Sequence, residues 1–187
     1  MAAAHAPPAK RRREFAFKGF LFALLAANTA YFAIAGTPSK AVDAAAWLTL
    51  LALFQAEALF GNRLATPRRR RVLGAARLLA AAGVFAATIG YVFEDNVLDA
   101  VNCVLWIAVV VLLEVELRFP RSVGAHRLAF NAVAVGLYGA LGVLVILWAY
   151  AGMWFDAYDA VLWLVAFVLL EMDISAAAKA RHVSVKR

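Results

Sequence analysis

Apolar residues crowd into six stretches of this chain, residues 20–36, 41–60, 72–92, 97–117, 128–151 and 157–174. Each is long enough to cross a hydrocarbon core of about 30 Å as a helix. Short connections at 37–40, 94–96 and 152–156 alternate with longer polar loops at 61–71 and 118–127. The pattern predicts an all-α membrane protein with six transmembrane helices arranged as three repeated helical hairpins, at about 20–60, 72–117 and 128–174. Residues 1–19 read as a basic arm, 20–175 as the transmembrane domain and 176–187 as a basic tail.

A spaced set of residues returns in the second helix of each hairpin: Asp43, Trp47 and Glu57; Asn102, Trp106 and Glu116; Asp159, Trp163 and Asp173. In each set the tryptophan lies 4 residues after the first polar position and the closing acid 14 after it. At about 100° per residue these positions share one helix face, with Leu50 and Phe54, Val109 and Leu113, and Ala166 and Leu170 between. Gln55, Glu114 and Glu171, two residues before the acids, point elsewhere. Matched spacing on matched faces predicts internal duplication.

Composition agrees with a bilayer as solvent, since 65% of residues are hydrophobic and mean hydropathy is +0.78. Charge then orients the helices. Of 19 Lys and Arg, 17 fall in the arm through Lys18, the two long loops and the tail from Lys179. Arg77 lies just inside the third helix, and only Lys40 falls in the opposite set of connections. Cytoplasmic loops collect Lys and Arg, so both termini are expected in the cytoplasm and the short connections outside, in the plasma (inner) membrane. The basic residues 10–13 followed by an apolar stretch resemble a secretory signal peptide. Retention of this segment is expected, because its removal would break the threefold repeat.

The sequence pI near 10.0 raises nucleic acid as a partner. The excess charge sits where membrane topology requires it, so no nucleic acid is expected. The lipid bilayer is the expected partner, with anionic head groups at Arg68, Arg69, Arg70 and Arg71, each worth roughly 1 kcal/mol near the surface. A homo-oligomer or a membrane partner protein is also compatible.

Local signals mark the helix ends. Thr37 with Pro38 suits the start of the second helix, Asn96 with Asp99 has the spacing of an N-cap at the fourth, and Asp156 with Asp159 repeats it at the sixth. Pro67 and Pro120 end the preceding helical patterns. The third helix is rich in Ala and Gly and the fifth carries Ala132, Gly136 and Ala140, with Gly139 and Gly142 alongside, so both are expected to pack against protein. Val, Leu and Trp in the fourth and sixth suit one lipid-facing side. The five tryptophans, Trp47, Trp106, Trp148, Trp154 and Trp163, fall in the outer half and predict an interfacial belt. Asn28, Thr29, Thr49, Thr88, Asn102 and Asn131 are expected to bond between helices.

The candidate site lies at the inner ends. Carboxylates in the last turn of a helix oppose its dipole and need a reason to be there. Glu57, Glu114, Glu116, Glu171 and Asp173 therefore form either a cation site or a ring of interfacial ion pairs with Lys18, Arg77, Arg118 and Arg127. Arg118 follows Glu114 by four residues, the spacing of a helical ion pair.

Catalytic chemistry finds little purchase. His5, His126 and His182 fall in the arm, a loop and the tail, the lone Cys103 excludes an intramolecular disulfide, and no HExxH, GxSxG or phosphate-binding glycine loop occurs. No helix carries Arg at every third position, as a voltage-sensing helix would. The expectation is a non-enzymatic protein without cofactor or metal: a small channel or transporter handling a cation or small solute, or an accessory or scaffold subunit that docks a partner.

Overall fold

A computed structural model describes the backbone of residues 8–60 and 66–185, and the side chains of 16–56 and 66–169 apart from 117, 120 and 121. The described chain is helical throughout, with no strand. Seven helices follow in order: α1 (Pro8–Ala35), α2 (Pro38–Phe60), α3 (Pro67–Phe93), α4 (Val97–Arg118), α5 (Pro120–Ala125), α6 (Arg127–Tyr150) and α7 (Trp154–Val185). The segments 16–35, 67–93, 97–116 and 127–150 are each long and apolar enough to cross a membrane. They mark a membrane protein. α2 and α7 run for 23 and 32 residues.

Boundaries depart from the expected ones where proline sits. Pro67 and Pro120 open α3 and α5, because a first-turn position needs no N–H and suits the fixed φ; α4 ends at Arg118 with Phe119 as its cap, directly before Pro120, as expected. Arg68, Arg69, Arg70 and Arg71 thus occupy the first turns of α3, and part of the expected 118–127 loop is the short α5. The expected arm and tail are helical too, in α1 from Pro8 and in α7 as far as Val185.

The α3–α4 and α6–α7 turns close alike. Asn96 N–H donates to Tyr91 O at 2.9 Å and Met153 N–H to Trp148 O at 2.8 Å. The residue before each donor is left-handed, Asp95 at φ 54° and Gly152 at φ 77°. This six-to-one closure satisfies carbonyls that the helix end leaves open. An offset of 57 residues separates Asp95 from Gly152, Asn102 from Asp159 and Trp106 from Trp163.

Contacts divide the chain into two units, residues 26–144 and residues 1–25 with 145–187. In the first, α2 lies against α3 and α3 against α4. The close approach of α2 and α3 comes from small residues, as expected for the third helix. A Cβ added at Gly83 would lie 3.2 Å from Ala46 Cβ, and one at Gly90 would collide with Ser39 Oγ. Ala80, Val84, Ala87 and Tyr91 form the buried stripe of α3. Outside, Leu78, Phe85, Ile89 and Val92 on α3 and Val97, Val104 and Val111 on α4 are exposed apolar side chains suited to lipid. The fifth apolar helix, α6, reverses expectation. Ala132, Gly136 and Gly139 are exposed, and nothing lies within 4 Å of a Cβ added at Gly136, Gly139 or Gly142. Leu141, Leu144 and Trp148 are buried instead, since in this helix the bulky face offers more contact area.

The second unit holds the start of α1, with Leu21 and Leu25 buried, and the helices beyond Val145, with Trp148, Ala157, Ala160, Trp163, Ala166 and Phe167 buried. α7 begins at Trp154, so Asp156 lies in its first turn rather than at the cap.

Candidate functional site

Three elements bring their polar ends together in the 26–144 unit: the start of α2, the α3–α4 turn and the start of α4. Thr37 caps α2, its Oγ1 accepting from Lys40 N–H at 3.3 Å. The same hydroxyl donates to Glu94 Oε2 at 2.7 Å. Glu94 Oε1 accepts from Ser39 Oγ at 2.7 Å and from Ser39 N–H at 3.3 Å. A carboxylate from the α3–α4 turn therefore satisfies a free N–H of another helix, at the end where the dipole favours an anion. Asn96 caps α4 as the spacing predicts, its Oδ1 accepting from Asp99 N–H at 3.4 Å, while its Nδ2 donates to the Asp99 carboxylate.

Beneath this layer lies an ionic one. Lys40 Nζ stands 3.3 Å from Asp99 Oδ2, with side chains only 12% and 9% exposed, and 5.7 Å from the Phe32 ring centroid, within cation–π range. Asp43, one turn along α2, accepts from Tyr91 Oη of α3 at 3.3 Å and from Cys103 Sγ of α4 at 3.1 Å. Both donors are in the core, Tyr91 at 3% and Cys103 at 0% exposure. One carboxylate thus ties α2 to both of its partners. Trp47 and Trp106 follow, their ring centroids 6.4 Å apart and tilted by 57°.

The tryptophans overturn the expected belt. Trp47, Trp106, Trp148 and Trp163 are buried at 8%, 5%, 2% and 8% exposure, and only Trp154 is open at 70%. The cause lies in the stripe that predicted the repeat. Trp47 shares a face with Asp43, which turns inward to Tyr91 and Cys103 and carries the ring in with it, and Trp106 packs against Trp47. Asp43, Asn102 and Asp159 are all half-buried, and Val109 and Ala166 buried.

The expected inner site is only partly within the described side chains. Those of Glu57, Glu171 and Asp173 lie outside them. Glu114 is paired with Arg118 of the next turn, as the spacing predicts, with side chains 51% and 69% exposed. Glu116 and Arg127 are exposed; Lys18 and Arg77 are half-buried. Among the described residues no group of three or more His, Cys, Asp or Glu could hold a metal ion. An exposed pair in one helix is worth about 0.3–0.5 kcal/mol. Glu114→Gln is accordingly expected to shift stability by less than about 0.5 kcal/mol in reversible unfolding of the purified protein, and a larger loss would reveal a role beyond the pair.

One of the expected interhelical bonds is local: Thr49 donates to Ala45 O of its own helix at 2.7 Å. Thr88 donates to Val84 O of its own helix at 2.9 Å and also bonds the Cys103 thiol of α4, as expected between helices. Asn102 Oδ1 is buried with no hydrogen-bond partner among the described residues.

Sequence reasoning singled out Asp43 at the head of its stripe and Asp99 at a helix start without gathering them with Lys40, Tyr91, Glu94 and Cys103. The available signal was Lys40, the lone cation in the cation-poor connections.

Glu94 titrates in a readable way. The Ser39 hydroxyl first, and the Thr37 hydroxyl next, hold its carboxyl below the usual carboxylate range. A depressed folded value contributes stability above the unfolded value, about 4.3 for glutamate, and that stability is lost as pH falls through the folded value. Acid unfolding curves are expected to show this loss in the wild type and to lack it in Glu94→Gln; identical acid dependence in both would contradict the bridge.

The class defined by these helices is an all-helical membrane protein with a polar cluster joining α2, α3 and α4. No protein family, curated protein or solved structure matches the chain.

Proposed function

We propose that this chain is a polytopic, non-enzymatic protein of the plasma (inner) membrane, with six spans and cytoplasmic termini, that handles a cation or small solute as a small channel or transporter. The observation that carries the reading is Asp43. A carboxylate inside a helical bundle is expensive, and where one is kept it marks an ion or proton path more often than not. Asp43 is held by two neutral donors, with the Lys40–Asp99 pair beside it. The site so proposed lies toward the outer ends of α2, α3 and α4, and the inner acids take the role of interfacial ion pairs, in keeping with Glu114 and Arg118.

Two features support the three-hairpin repeat in this reading. The first polar position is half-buried and the tryptophan buried in all three stripes, and the last two hairpins share a turn geometry at a constant offset. Transport folds often arise from such duplication, with the site at the interface of the repeats. A second reading, an accessory or scaffold subunit, is favoured by the Glu94 bridge, which fixes α2 to the α3–α4 turn.

The test is twofold. Reporters fused after Arg71, Arg127 and Arg187 are expected to report cytoplasm, and those inserted near Ser39, Asp95 and Met153 the outer side. Purified protein in liposomes is expected to carry cation flux above that of empty liposomes. An outward carboxyl terminus would end the six-span reading, and absence of flux would leave the scaffold reading in its place.

A further inference from the structure

Counting the charges around Asp43 leaves one unaccounted for. Lys40 is one ammonium, paired with Asp99 at 3.3 Å, and Asp99 also receives the Asn96 amide. Asp43 receives an O–H from Tyr91 and an S–H from Cys103, with the Trp47 indole N–H beside them, and all three donors are neutral. Among the described residues, the ends of the elements that meet around it bring no second cation. From α2 itself come Lys40 and the indole of Trp47; from α3, Tyr91 and Thr88; from the α3–α4 turn, Glu94, Asp95 and Asn96; from α4, Asp99 and Cys103. Every charged member of that set other than Lys40 is an acid. Two carboxylates and one ammonium, against core side chains at 0–3% exposure, keep a net negative charge where the medium compensates it poorly.

We propose that the Lys40–Asp43–Asp99 set holds one exchangeable proton, carried on Asp43, and that this proton is the cation handled at the site. The inference rests on the membrane reading given above. The proton passes from a hydronium ion to an Asp43 oxygen: one O–H bond of the donor breaks, one O–H bond to the carboxylate forms, and a water molecule leaves. A carboxylic acid keeps acceptor capacity, so Tyr91 and Cys103 retain their hydrogen bonds. A hard metal cation fits poorly. It would need about six oxygen ligands, whereas the oxygens of Asp43 are engaged by a hydroxyl and a soft thiol, and no group of three His, Cys, Asp or Glu is gathered among the described residues. The equivalent position in the next stripe is Asn102, a neutral amide of the same shape as a protonated aspartate.

The test uses the full chain in nanodiscs and measures binding without transport. Infrared difference spectra are taken across about pH 4 to pH 9, bracketing the ordinary carboxylate range. A carboxylic-acid carbonyl band is expected in the wild type and absent in Asp43→Asn. In Asp99→Asn, where Lys40 alone balances Asp43, the midpoint of the band is expected to move toward acid by about one pH unit or more. In Lys40→Gln it is expected to move the opposite way, and the Asp99→Asn result stands if Lys40→Gln does not fold. A band unaffected by Asp43→Asn, one whose midpoint ignores Asp99→Asn, or one displaced by millimolar sodium or calcium would overturn the proposal. Absence of flux with these spectra intact would instead overturn the transport reading and leave the proton site standing.

Discussion

Replacing Lys40 with Met is expected to lower stability by about 3 kcal/mol, the cost of leaving one member of a buried ion pair without its partner. The pair qualifies because its side chains are only 12% and 9% exposed, unlike Glu114 and Arg118 on the open face of α4. Asp99 would lose its ammonium while Asp43 still stands nearby, so two carboxylates would face each other across the start of α2 and α4. The double variant Lys40→Met/Asp99→Asn removes both charges and is expected to recover most of the loss. Reversible unfolding of the four proteins forms a double-mutant cycle. Additive losses would show that Lys40 and Asp99 do not act as a pair.

The second large effect is steric. Gly90→Leu is expected to destabilise by about 1–3 kcal/mol, the usual cost of overpacking, because the first added carbon would collide with the Ser39 hydroxyl. Ser39 would have to move, and with it the bridge to Glu94 that caps α2. The informative control is Gly136→Leu in α6, where nothing lies within 4 Å of the added Cβ. That variant is expected to stay within about 0.5 kcal/mol of the wild type. Equal losses in both would mean that the α2–α3 contact does not set the cost, since leucine is the better helix former at either position.

These contrasts show where the amino-acid pattern was readable. Long apolar runs located the helices, and Thr37 and Asn96 at their starts named caps that form as expected. The alanines and glycines of α3 marked a helix against which a neighbour packs. The same reasoning failed in α6, because small residues permit close approach without requiring it, and Leu141, Leu144 and Trp148 claim the buried face. Tryptophan was misread for a related reason. Its amphipathic ring suits an interface, but on α2 it lies one turn from Asp43, whose partners in α3 and α4 decide which way the face turns, and Trp106 of α4 packs against it. The cluster itself was hidden by distance along the chain. Asp43 meets Cys103 across 60 residues and Ser39 meets Glu94 across 55, and no periodicity within one helix reports which residues of another will face it. Lys40, alone among the cation-poor connections, was the trace the pattern did carry.

The central claim is that the polar cluster around Asp43, rather than the acids at the opposite helix ends, is the working site of this proposed transporter. The direct measurement is proton and cation flux into liposomes for the wild type, Asp43→Asn and Glu116→Gln, each first shown to be folded. Flux lost in Asp43→Asn and kept in Glu116→Gln is the predicted result. Flux kept in Asp43→Asn would contradict it.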